Sequence, residues 1–119
     1  MITETNGLSV RRRSKERKEK MNFNGYECKT TFWDDFSIAE RFGISAIKDT
    51  FKRAFQGWKD DVEYVTELVM VLNRKCWYFY QKKMTELSKL YEELYYKADE
   101  WCCENLKGDD LSYYYKTTD

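Results

Sequence analysis

The sequence predicts an all-α protein: a small helical bundle built on a long antiparallel helical hairpin, with two shorter N-terminal helices and a short C-terminal helix. Three observations lead there. The 119 residues include no proline and only five glycines, which suits long uninterrupted helices. From Val62 to Tyr80 the apolar residues Val62, Val65, Val69, Leu72, Cys76 and Phe79 recur at steps of three and four, one stripe along a helix. No alternating β-branched run bounded by turn residues marks a strand. Apolar content of 42%, with 18% aromatic, is enough for one core.

Residues 1–31 read as a disordered basic arm, and residues 32–119 as a single domain. The block RRRSKERKEK, residues 11–20, holds seven basic and two acidic side chains, a net of +5 in a chain that is formally neutral. With Glu4 added, residues 1–20 carry +4, so the remaining residues carry −4. Arg11, Arg12, Arg13, Lys15, Arg17, Lys18 and Lys20 are therefore candidate phosphate contacts. An acidic body can equally hold such an arm loosely against itself.

The first helix is expected over Phe32–Phe42. Thr31 with Asp34 gives it a start like a capping box, and Asp35 adds negative charge to its first turn. Phe32, Trp33, Phe36, Ala39 and Phe42 make a wide inner face, with Ile38 near its margin. Gly43 is placed to end this helix in a left-handed conformation, and Ser45 to cap a second one that Gly57 closes. Ile47, Phe51, Ala54 and Phe55 would face inward on the second helix, leaving Lys48, Lys52 and Arg53 outside.

Ile38–Ser45 is similar to the centre of a helix-turn-helix motif, with Ala39, Gly43 and Ile44 where a small residue, a glycine and an apolar residue are needed. Lys48, Lys52 and Arg53 would then meet phosphates or base edges. The match stops at Asp49, which stands where the motif buries a branched apolar residue. A buried unpaired carboxylate there would cost several kcal/mol. The apolar residues at Ile47 and Phe51 instead rotate the second helix, which favours two ordinary core helices.

Asp60 or Asp61 can cap the central helix, in which Leu68, Met70 and Val71 widen the apolar stripe. A short link at Lys82–Met84, with Thr85 as cap, leads to the second arm of the hairpin. Its inner positions are Leu87, Leu90, Tyr91, Leu94, Ala98, Trp101 and Cys102. Gly108 would end that helix. A terminal turn would then run to Tyr115, anchored by Leu111 and Tyr114, with residues 116–119 fraying.

Catalysis has little support in the sequence. There is no histidine, the commonest general base, and no glycine-rich phosphate loop. Glu63 and Glu67, four apart on one helical face, could hold a divalent ion, but a solvated repelling pair explains them as well. Cys28, Cys76, Cys102 and Cys103 form no CxxC pair. Cys102 and Cys103 read as one small core residue beside a half-exposed neighbour, with a metal or redox role as the alternative. No enzyme activity, metal or cofactor is expected.

Tyrosine is the unusual feature, with ten in the chain. Trp77, Tyr78, Phe79 and Tyr80 are consecutive, and helical residues point about 100° apart, so these rings surround their helix. Tyr95 and Tyr96 pose the same problem on the next helix. Some of these rings must be exposed, and interfaces are enriched in such side chains. Trp77, Tyr78, Tyr80, Tyr95 and Tyr96 are the candidate contacts for a protein partner, either a host complex or a second copy in a homodimer.

The blocks TFWDDFSIAERFG, AIKDTFKRAFQGW, YVTELVMVLN and LKGDDLSYYYKTTD, across roughly residues 30–119, resemble a family of small uncharacterised proteins carried by bacteriophages and conjugative elements. The resemblance implies an accessory protein of a mobile element inside a bacterial cell. By analogy of context, such proteins bind host machinery, including the defence nucleases that anti-CRISPR proteins inhibit. A nucleic-acid binder is the alternative. No apolar run suits a membrane span, so a cytoplasmic location is expected and a membrane partner is not.

Overall fold

The computed structural model describes residues 22–23, 26–27 and 30–118. The seven basic residues of the arm, Arg11 to Lys20, lie outside the described residues, as does Cys28. Five helices follow a two-residue antiparallel ladder: β1 (Asn22–Phe23) and β2 (Tyr26–Glu27), then α1 (Phe32–Glu40), α2 (Ile44–Trp58), α3 (Val62–Gln81), α4 (Thr85–Asn105) and α5 (Gly108–Thr118). Asn22 pairs with Glu27 and Phe23 with Tyr26. The protein is an all-α bundle. The arm assigned to residues 1–31 thus includes a short ladder, which two-residue strands are too brief to reveal by periodicity. The body also begins earlier than residue 32, because the Thr30 N–H donates to Glu67 Oε2 at 2.6 Å.

α3 and α4 form the antiparallel hairpin, and α5 lies against both of its arms. Asp61 caps α3, its Oδ1 accepting from the N–H groups of Glu63 and Tyr64 at 3.1 and 3.2 Å. The predicted stripe is the buried face: Val65, Leu68, Val69, Val71, Leu72 and Phe79 are all enclosed. At the hairpin turn, the Met84 N–H reaches the Phe79 carbonyl and the Lys83 N–H the Tyr80 carbonyl, a Schellman motif. Lys83 takes the left-handed position with φ +63°, so the turn is closed without glycine. Met84 rather than Thr85 stands at the N-cap of α4, with no side-chain cap bond.

α1 and α2 lie across the hairpin. The expected Thr31–Asp34 capping box does not form. Instead the Phe32 N–H donates to Thr30 Oγ1 at 3.2 Å, and the Thr31 hydroxyl donates to Asp35 Oδ2 at 3.0 Å. Gly43 has φ +112° and ψ 179°, not the left-handed helical cap expected, and this region is open essentially to glycine alone. It both follows α1 and caps α2, which leaves Ser45 inside the helix. Gly57 also lies within α2 rather than closing it.

The C-terminus differs in the same direction. Gly108, with φ +57°, opens α5 rather than ending α4. α5 continues beyond Tyr115 to Thr118, whose hydroxyl donates to the Tyr114 carbonyl at 2.8 Å. Lys116 in the last turn also suits the helix dipole. Tyr114 is the buried anchor, and its phenol donates to Asp99 Oδ1 on α4.

Candidate functional site

The four consecutive rings of α3 divide as their 100° spacing requires. Phe79 faces inward and stacks on Tyr91, with ring centroids 5.8 Å apart. Tyr78 lies edge-on to Trp33 at 5.8 Å, with the Lys82 ammonium 5.1 Å above its ring. Trp77 and Tyr80, three residues apart on the outer side, meet edge to face at 5.5 Å and remain 53% and 65% exposed. Met84 in the adjacent turn is also exposed. On α4, Tyr95 is half-buried and Tyr96 exposed, 5.3 Å apart. Burial, then Asp99, holds the Tyr95 phenol above its ordinary range. Among the described residues no ring contact joins this pair to Trp77 and Tyr80, so the five candidates form two groups.

The three basic residues of α2 are also divided. Lys48 and Lys52, four apart, stand with Lys97 of α4 around a concavity of about 310 Å³ floored by Phe51, Phe55, Leu90 and Leu94. Arg53 lines a different concavity, between α1 and α2, near Asp35 and Asp49. Asp49 is exposed and Ile47 is the enclosed residue, so α2 has the rotation that its apolar register implies.

That second concavity is the larger, about 570 Å³, and opens to solvent. Ile38, Ala39, Phe42, Ala46, Ala54 and Trp58 supply its apolar lining. Phe42 was expected on the inner face of α1, but α1 ends at Glu40 and Phe42 falls in the turn, 77% exposed. Partial desolvation raises the Asp35 carboxyl above its ordinary range, partly countered by its bond from Thr31.

A polar network inside the fold escaped the sequence reading. Lys75 is 1% exposed. Its Nζ donates to Ser37 Oγ at 2.7 Å, pairs with Glu40 Oε2 at 3.0 Å and sits 4.0 Å from the centroid of the Trp33 ring. The Tyr91 hydroxyl donates to the same Glu40 oxygen at 2.6 Å. Burial, reinforced by this carboxylate, holds the Tyr91 phenol protonated far above its ordinary value. Two sequence lines could have shown this network: Leu68, Leu72, Lys75 and Phe79 step by four, three and four, and Trp33, Ser37 and Glu40 by four and three. With Lys75 and Glu40 paired, the network fixes α1 on the hairpin.

The remaining candidates separate. Glu63 is exposed but Glu67 is buried and accepts the Thr30 N–H, so the two do not form an open pair. Cys102 is buried and Cys103 exposed. Burial, then Asp99, pushes the Cys102 thiol up to about 12, which keeps it protonated and unreactive. Among the described residues no group of three or more His, Cys, Asp or Glu side chains is placed to hold a metal ion. Nor is any helix among them long and apolar enough to cross a membrane.

The chain matches no known family, no curated protein and no solved structure.

Proposed function

We propose that this chain is a non-catalytic accessory protein that acts by docking on a protein partner through the aromatic end of its hairpin. The observation that carries the reading is the Trp77–Tyr80 pair, two large rings held edge to face by a rigid helix with most of their surface in water. Rigid aromatic side chains lose little entropy on binding and dominate interface hot spots. By analogy with the mobile-element proteins that the sequence resembles, the partner would be a bacterial host complex of the nucleic-acid-processing or defence class, met in the cytoplasm.

The test is partner capture by the full chain from bacterial extract, with Trp77→Ser/Tyr80→Ser and Lys48→Ala/Lys52→Ala as paired variants. Capture lost only in the aromatic variant supports the reading. Capture unchanged in that variant sinks it.

A second reading, nucleic-acid binding, draws on Lys48, Lys52 and Lys97 around one concavity and on the basic block of residues 11–20. It calls for affinity that falls steeply with salt and is lost when residues 1–20 are deleted. No binding at low salt removes it.

A further inference from the structure

We infer that the aromatic end of the hairpin takes an acidic protein partner, one that presents an apolar side chain flanked by Asp or Glu. The inference rests on docking through that end, as proposed above, and adds the chemistry of what docks there.

Charge along the chain is the first support. Between Glu67 and Glu86 there is no acidic side chain but four basic ones, Arg74, Lys75, Lys82 and Lys83. Residues 21–119 carry −4 with these four included, so the remainder carries −8. Lys75 is buried and paired with Glu40. Lys82 and Lys83 are exposed, and among the described residues neither enters an ion pair. Glu86, the first acid beyond the turn, is followed three residues later by Lys89, so the start of α4 adds no net charge. The aromatic end is therefore a positive site on a body that is otherwise acidic.

Geometry joins this charge to the rings. The Lys82 ammonium lies 5.1 Å from the centroid of the Tyr78 ring, which is itself 38% exposed. The Lys83 N–H donates to the Tyr80 carbonyl at 3.0 Å, which ties its backbone to that of an exposed ring. Trp77 and Tyr80 stand at 83° to one another, a corner rather than two parallel platforms. Single-stranded nucleic acid stacks successive bases on aromatic platforms, and perpendicular rings do not supply a run of them. An apolar corner instead suits one aliphatic or aromatic side chain. A partner with carboxylates around that side chain meets Lys82 and Lys83 with opposite charge, and a basic partner is repelled.

The test is fluorescence anisotropy on the full chain at low and high salt with three labelled probes. Two are short peptides that share a central Leu and Phe, one flanked by Asp and Glu and the other by Lys; the third is an oligothymidine. The acidic peptide should bind more tightly than its lysine counterpart, and less so as salt rises. Lys82→Glu/Lys83→Glu should weaken it by about tenfold. Lys107→Glu/Lys116→Glu, an equal change in net charge away from the rings, should weaken it far less. Lys82→Gln/Lys83→Asn is the second variant if helicity shows that the charge reversal misfolds, because asparagine tolerates the left-handed backbone at Lys83. No binding of the acidic peptide, no preference over the lysine peptide, or a preference that survives loss of Lys82 and Lys83 overturns the inference. Oligothymidine bound more tightly than the acidic peptide, and released by Trp77→Ser/Tyr80→Ser, assigns this end to nucleic acid and overturns it too. Capture from extract that needs Trp77 and Tyr80 but not Lys82 and Lys83 sinks this inference alone, whereas capture that ignores the rings sinks the docking reading beneath it.

Discussion

The two sides of α1 handle charge and apolar surface differently. One side turns Ser37 and Glu40 inward, where they meet Lys75, Tyr91 and the Trp33 ring. The other side, continued by the following turn, leaves Ile38 and Phe42 in water beside Trp58. A helix of nine residues thus buries Phe32, Trp33, Phe36 and Ala39 together with a partnered carboxylate, while Ile38 and the Phe42 that follows the helix stay exposed. The buried side is tolerable because every charge has a partner, so desolvation is offset by the ion pair, two hydrogen bonds and a cation–π contact. The open side is tolerable because a singly exposed ring costs little.

The largest effect should come from the buried side. Lys75→Met leaves Glu40 without its cation in a largely enclosed position, and the expected loss is about 3–5 kcal/mol in urea unfolding. Adding Glu40→Leu to that variant should recover most of the loss, because the orphaned charge goes with it. A loss below about 1 kcal/mol would make the pair equivalent to a surface salt bridge and break the comparison.

Tyr91→Phe should have the next largest effect. It keeps the ring stacked on Phe79 and edge-on to Phe36 but removes the hydroxyl donated to Glu40. A hydrogen bond to a charged group is worth about 1.5–3 kcal/mol, and a loss in that range is the outcome to look for by thermal or urea unfolding.

Phe42→Ser on the open side should have the smallest effect, within about 0.5 kcal/mol in urea unfolding. A destabilisation as large as that of Tyr91→Phe would show that the open side supports the fold and would break the comparison.

Much of the hairpin was legible in the residues, and so was the rotation of α2. Both rest on apolar side chains at regular helical spacing, and Asp61, Val65, Leu72 and Phe79 stand where that spacing places them. Turn chemistry was read less well. Gly43, Gly57 and Gly108 each looked like a helix end, yet one caps α2, one sits inside it and one opens α5. A glycine permits many conformations and specifies none, so its neighbours decide. Lys83 shows the converse, a left-handed turn closed by a residue that does not announce it.

The candidate contacts followed the same division. Crowding in Trp77–Tyr80 required that some rings face water, whatever packed against the helix. Which ones did was settled by α1 and α4: Tyr91 takes Phe79 inside, Trp33 covers part of Tyr78, and Trp77 and Tyr80 stay the most exposed. What the sequence determined by itself is local: helix type, apolar register and the impossibility of burying four successive rings. Only the tertiary structure decided that Lys75 belongs inside and Phe42 outside, or that Lys48 and Arg53 serve different concavities. Periodicity names a face of one helix, but burial depends on what a second helix brings to that face. For Lys75 it brings a carboxylate and an indole, and for Phe42 it brings open space.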